Sequence, residues 1–299
     1  MGGLNEYSAC HLCPRNCGID RNTSLGFCGE SSKLTAARAS LHMWEEPPIS
    51  GTNGSGTVFF RGCNLKCIYC QNYDISQNEG GKYITSDNLS EIFLSLQKKG
   101  AHNINLVTPT HFSPHVKEAV KLSRSKGLNV PVVYNTGGYE KSDVIKSLKS
   151  TVDIYLTDFK YIKSEAGKNY SNASDYFEYA SSALDEMVSQ NPSPVFENGL
   201  MKKGVIVRHL LLPGHLIEAK MIVKYIYERY GNSIYISLMN QYTPLRHFPN
   251  FSNLERRVTD REYNSLISYA SRLGVTNAFV QEGGTAKESF IPAFDLTGI

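Results

Sequence analysis

No cysteine follows Cys70, the 299 residues hold a single tryptophan, and nowhere do about 18 apolar residues run together. The absent apolar run leaves no candidate for a membrane-spanning helix. The opening MGGLNEYSAC lacks the charged-then-apolar build of a secretory signal. The expectation is therefore a soluble, cytoplasmic protein that needs no membrane. Charge of one sign is scarce too: 31 Lys and Arg stand against 28 Asp and Glu, a formal net of +3. No window gathers Lys and Arg into a basic stripe, so nucleic acid is not an expected partner. The seven cysteines are odd in number and confined to two tight groups, Cys10, Cys13, Cys17 and Cys28, then Cys63, Cys67 and Cys70. Disulfide frameworks spread evenly counted cysteines through small secreted chains, whereas metal sites cluster them. In a cytosolic protein the sequons at Asn22, Asn53, Asn172 and Asn250 are chance matches.

What remains is a strand-then-helix alternation from Thr57 onward. Apolar runs over 57–60, 103–108, 130–135, 153–158, 205–212 and 234–239 read as buried parallel strands. Helical periodicity occupies 87–99, 114–126, 141–148, parts of 166–190, and 217–230, with Gly100, Gly127 and Gly231 where helix ends belong. Six strands alternating with helices imply right-handed βαβ units, hence an α/β fold, a barrel either open or closed. Its working face is the carboxyl end of the strands. A helix over 260–273 and a short apolar segment at 278–281 end the pattern, and 191–203 reads as a long loop. Residues 1–50 lack the alternation and are expected to form a cysteine-rich metal-binding extension. Residues 51–299 are expected to form the barrel with a C-terminal tail, which can fold over the barrel mouth.

Cys63, Cys67 and Cys70, spaced C-x3-C-x2-C, follow the first barrel strand immediately, at the catalytic end. Thiolates suit iron–sulfur clusters or zinc. Three of them leave one iron of a four-iron cubane without a protein ligand, and an iron with an open position can bind substrate.

The segment Arg61-Gly-Cys-Asn-Leu-Lys-Cys-Ile-Tyr-Cys-Gln-Asn resembles the cluster loop of the radical S-adenosylmethionine (SAM) superfamily, including the aromatic Tyr69 before the last cysteine. More narrowly, Trp44-Glu-Glu-Pro-Pro-Ile-Ser-Gly, Val107-Thr-Pro-Thr-His-Phe, Asn240-Gln-Tyr-Thr-Pro and the leading Cys-His-Leu-Cys-Pro-Arg-Asn-Cys resemble the pyruvate formate-lyase activating enzyme-like iron–sulfur proteins. The resemblance implies a partial six-fold β/α barrel and a 4Fe–4S cluster on Cys63, Cys67 and Cys70 that cleaves SAM reductively to a 5′-deoxyadenosyl radical, which removes a hydrogen atom from the substrate. It implies an electron donor such as flavodoxin or ferredoxin, and a glycyl radical enzyme as partner. Two alternatives stand beside activation of such a partner: a small-molecule or peptide substrate, and a zinc-bearing binding protein without catalysis.

By the same resemblance, SAM contacts fall on the strand ends. Relatives carry Gly-Gly-Glu after the second barrel strand; here Thr108-Pro-Thr110-His stands instead, so the Thr108 backbone and Thr110 hydroxyl would receive the methionine amine, or Thr110 would cap a helix. Asn135, Thr136 and Gly137 match the loop approaching the ribose. Asp158 and Lys160 match a polar pair, Arg208 would lie near the SAM carboxylate or substrate, and Asn240 and Gln241 would lie near adenine. His209 reads as a structural histidine.

The leading quartet, C-x2-C-x3-C-x10-C, supplies four thiolates in a segment too short to build its own core. A second metal centre is expected there, and the spacing leaves zinc and a second 4Fe–4S cluster both open.

Overall fold

A computed structural model describes residues 5–281 and 291–299. Its sheet runs through β1 (Thr35–His42), β2 (Ser55–Phe60), β3 (Lys82–Tyr83), β4 (Ile104–Val107), β5 (Val132–Thr136), β6 (Ile154–Asp158), β7 (Val195–Glu197), β8 (Leu200–Leu210), β9 (Tyr235–Met239) and β10 (Ala278–Val280). Between them lie α1 (Pro47–Ser50), α2 (Tyr73–Ser76), α3 (Ser86–Lys98), α4 (Ser113–Ser125), α5 (Ser142–Ser147), α6 (Ser164–Ser171), α7 (Tyr176–Gln190), α8 (Leu216–Tyr230) and α9 (Asp260–Leu273). The strand order is β10-β9-β8-β6-β5-β4-β2-β1-β3, parallel from β10 to β2. This is the expected partial barrel, and all six predicted parallel strands and the predicted helices are present.

Period-two alternation explains its lining. Val133, Ile154, Leu156 and Ile206 pack with Ile49 in one buried cluster toward the amino ends of the strands. On the same faces, nearer the carboxyl ends, the residues turn polar: Asn135, Asp158, Arg208 and Ser237. The opposite faces bury two larger cores against the helices, one under α3 and α4 and one under α5 to α9. Hydroxyl caps fix two helix starts: Thr85 with Asn88 on α3 and Thr259 with Glu262 on α9 form reciprocal capping boxes.

Three features differ from the expectations. β1 pairs antiparallel with β2, so the barrel sheet begins at Thr35, within the segment expected to lie outside it. The stretch 191–203 is not a loop throughout: β7 folds back on β8 through Asn198 and Gly199, both with positive φ, the hairpin-turn geometry that an Asn-Gly pair favours. The tail, last, adds to the sheet edge. Ala39 N donates to Thr297 O, Leu296 N donates to Ala37 O, and Arg38 pairs with Asp295. Residues 295–297 therefore lie against β1, on the far side of the sheet from β10. Phe290 and the rest of 282–290 lie outside the described residues, but Ile291 and Pro292 line the cavities at the barrel mouth.

Candidate functional site

β2 delivers the chain into the loop Arg61–Asn72 at the mouth. Gly62, at φ +82°, is where two segments meet: a Cβ there would stand 2.6 Å from Glu30 Cγ and 2.9 Å from the Cys28 carbonyl. The loop is then tied on every side. Asn64 donates to Tyr139 O at 2.7 Å, Ile68 N to Tyr170 O at 2.9 Å, and Lys66 Nζ to Asn78 Oδ1 at 3.0 Å. Cys63, Cys67 and Cys70 all line one cavity of about 190 Å³. Burial first, then the neighbouring Cys67 thiol, pushes the Cys63 thiol up; the same two causes with Cys63 added push Cys70 up to about 12. Three thiols on one loop, Cys67 buried and Cys63 and Cys70 half-buried, are a donor set that a soft, thiophilic cationic centre binds by taking their protons. The residues present therefore fit an iron–sulfur cluster. A hydroxyl chain supports Cys67: Ser171 Oγ donates to its sulfur at 2.9 Å, and Ser171, Tyr161 and Tyr69 are linked by 2.7 Å contacts.

Around these thiols the strand ends bring most of the remaining expected residues together. Tyr69, Thr108, Asn135, Thr136, Gly137, Asp158, Lys160, Arg208 and Gln241 line the same cavity. Arg208 Nε donates to Asp158 Oδ1 at 2.9 Å, its NH2 donates to Asn135 Oδ1 at 2.7 Å, and Lys160 Nζ sits 2.5 Å from Asp158 Oδ2. Burial opposes ionisation of Asp158, yet Arg208 and Lys160 together hold its carboxyl below the usual range. Thr108 ends β4 at φ +58°, a left-handed conformation that costs a β-branched residue roughly 1–2 kcal/mol. Its amide donates to Asn135 O at 2.9 Å, which holds the turn in place. Beyond Gly137, Gly138 is needed because a Cβ would fall 2.2 Å from Asp158 O.

Thr110 and Asn240 are placed differently. Thr110 is buried, outside the cavity lining, and gives its hydroxyl to Glu140 Oε1, so it neither caps a helix nor faces the thiols. The Asn240 amide donates to Gln281 Oε1 at 2.9 Å, and it is Gln241 that reaches the cavity. His209 is buried on Phe159 O at 2.8 Å, with its imidazole held neutral by burial, a structural role.

Sequence reasoning missed Glu45, Glu46 and Glu140. Glu45 enters the barrel from the loop before α1, where Oε1 accepts from Asn105 Nδ2 at 2.9 Å and Asn135 Nδ2 at 3.3 Å, and Oε2 meets Arg208 at 3.3 Å. Two adjacent acids before Pro-Pro were the only signal. Glu140 accepts from Thr110 and Thr136 on one oxygen, while Oε2 has no partner; burial pushes it up to about 7, against both hydroxyls.

A second cavity, about 600 Å³, adjoins the first. Gln71, Asn72, Val107, Asn135, Arg208, Met239 and Gln241 line both.

The N-terminal cysteines gather beside this loop. A Cβ on Gly26 would lie 3.3 Å from Cys28 Sγ and 3.9 Å from Cys17 Sγ, and burial pushes the Cys13 and Cys28 thiols up to about 12 and about 11. Arg21 is fully buried there. It donates to the Glu30 and His111 carbonyls and to Cys10 Sγ at 3.8 Å, with no carboxylate ion pair among the described residues. Anionic thiolates bound to metal would balance that guanidinium. Among the described residues no three His, Cys, Asp or Glu side chains converge on a single-ion position.

A parallel half-barrel with a C-x3-C-x2-C loop at the carboxyl end of its first parallel strand defines a class of cluster-bearing, SAM-cleaving proteins. The chain belongs to the radical SAM superfamily, whose profile matches residues 57–226. It is 31% identical over 279 residues to an uncharacterized protein of Methanocaldococcus jannaschii, covering 90% of this chain and 76% of that one. It is 28% identical over 125 residues to a pyruvate formate-lyase-activating enzyme of Clostridium pasteurianum, covering 40% of this chain and 51% of the other. The FeFe-hydrogenase maturase HydG from Carboxydothermus hydrogenoformans superposes with a TM-score of 0.50 at 9% identity over 79% of this chain and 56% of that one, a likeness of fold alone. The chain thus spans about half the length of the activating enzyme and of the maturase. Membership implies a 4Fe–4S cluster and SAM.

Proposed function

We propose that this radical SAM enzyme binds SAM in the first cavity and takes a hydrogen atom from a small molecule or peptide held in the second. The observation that carries the reading is the continuity of the two cavities, one lined by three thiols and the other free of them. When bound on Cys63, Cys67 and Cys70, a cluster with SAM and one electron supplies the 5′-deoxyadenosyl radical. The chain's own residues do the rest. Asp158 and Lys160 present a fixed charge pair to the cofactor's polar end, Asn135 and Arg208 mark the boundary between the cavities, Gln241 stands at the adenine side, and Leu65, Val107 and Leu210 exclude water. The electron comes from a flavodoxin- or ferredoxin-like donor in the cytoplasm. Cys10, Cys13, Cys17 and Cys28 hold a second 4Fe–4S cluster, a reading supported by the buried Arg21 beside Cys10; zinc is the alternative. Activation of a glycyl radical enzyme is the second reading, favoured by similarity to the pyruvate formate-lyase-activating enzymes.

Reduced, reconstituted protein with SAM tests both. Deoxyadenosine formation stimulated by a small metabolite or peptide supports the first reading. A glycyl electron paramagnetic resonance doublet on a candidate partner supports the second. No deoxyadenosine under any condition would overturn both and leave a binding protein.

A further inference from the structure

Among the described residues that line the two cavities, three carboxylates share two cations. Arg208 is matched by Asp158 at 2.9 Å and Glu45 at 3.3 Å, and Lys160 by Asp158 at 2.5 Å, so two cations meet two carboxylates. Glu46 lines the second cavity with Arg208, which attracts it but makes its ion pairs with Asp158 and Glu45; Glu46 itself forms no ion pair among the described residues. It sits at the N-cap position of α1 without capping it, so its carboxylate is not used by the helix. The buried Ser237 hydroxyl on β9 lies beside it and favours its ionised form. The rest of the wall is largely apolar or neutral: Phe59, Phe279 and Met239 line it, and the His42 imidazole is held neutral mainly by burial.

Such a wall discriminates by charge. An anionic ligand would meet Glu45 and Glu46 with no unmatched cation among the described residues to receive it. A purely apolar ligand would strip water from Glu46 and return nothing. A cation supplies the missing partner, and aromatic walls accept its hydrocarbon part. We propose that the second cavity takes a substrate bearing a positively charged nitrogen, an amine or guanidinium, and that Glu46 receives it. The assignment deepens the proposed function, since it rests on SAM filling the neighbouring cavity. Burial raises the Glu46 carboxyl, against Arg208 and the Ser237 hydroxyl, and a bound cation would pull it back down.

Isothermal titration of the reconstituted, SAM-loaded, unreduced protein tests this with ligands matched in length. Cadaverine and agmatine should bind more tightly than pentane-1,5-diol and glutarate. Glu46→Gln, checked for folding by circular dichroism, should weaken cadaverine about tenfold or more, the loss of one charge-assisted bond. If that variant does not fold, the ligand series on the wild-type protein decides alone. Equal binding of the diol or glutarate, or undiminished binding by folded Glu46→Gln, would overturn the cation site. A lysine-containing peptide that binds more tightly than cadaverine assigns the charge to a peptide side chain; the reverse order assigns it to a free amine. Wild-type deoxyadenosine formation is measured separately. Cation binding without SAM cleavage would sink the proposed reaction and keep the cation site, whereas cleavage without charge discrimination would sink the cation site alone.

Discussion

Arg208 on β8 and Asp158 on β6 are Cα register partners on adjacent parallel strands, and their side chains meet at 2.9 Å. Strand register therefore sets the pair, and the pair sets the polar floor that Glu45, Lys160 and Asn135 join.

Asp158→Asn keeps the shape of the side chain and leaves Glu45 on Arg208, so the variant should fold with a lowered melting temperature. Equilibrium binding should show SAM weakened by about tenfold, one charge-assisted contact. The sign with pH follows from the depressed carboxyl. Its stabilisation is complete above the ordinary value of 3.8 and is lost as pH falls through the lower folded value, so the gap between wild type and variant is full near neutral pH and closes on acid titration. Unchanged SAM affinity would reassign Asp158 to structure.

Replacing Cys63, Cys67 and Cys70 with Ala should remove the iron held at the mouth and leave deoxyadenosine at background after anaerobic reconstitution. The loop's ties to Tyr139, Tyr170 and Asn78 do not use the sulfurs, so the fold should persist. Undiminished SAM cleavage by the triple variant would defeat the assignment.

The N-terminal quartet should keep its own metal in that triple variant. About four irons and four sulfides per chain indicates a cubane and one zinc indicates a structural staple. A metal-free but folded N-terminus would refute both, and with them the balance drawn for Arg21.

Glu140 gives stability a pH dependence of opposite sign to Asp158. Its folded value is about 7 against 4.5 unfolded, so between those limits the folded chain keeps a proton the unfolded chain has lost, and stability falls as pH rises. The total is on the order of 3 kcal/mol at about 1.4 kcal/mol per unit. Glu140→Gln should match wild type in thermal melts near pH 5 and exceed it near pH 8. Parallel melting curves across that range would show that the carboxyl is not held neutral.

Local pattern made much of the barrel legible. Apolar runs and helix-end glycines marked six parallel strands and their crossovers, because buried parallel strands must be apolar on both faces. β1 escaped because, in Thr-Ala-Ala-Arg-Ala-Ser-Leu-His, small and polar residues hide the alternation. The hairpin of β7 and β8 escaped although Asn198-Gly199 announced its turn.

The sequence by itself determined the three-thiol loop, its place after the first parallel strand and the alternation that closes helices over a sheet, all of them effects of spacing along the chain. Only the tertiary structure decided that Thr110 turns to Glu140, that Glu45 crosses from the loop before α1 to reach Arg208, 163 residues away in sequence, and that Glu46 faces a cavity whose lining arginine, Arg208, is already paired with Asp158 and Glu45. Spacing reports which residues share a strand face. Which charges neutralise one another depends on distances across the barrel, and those exist only once the sheet has curled.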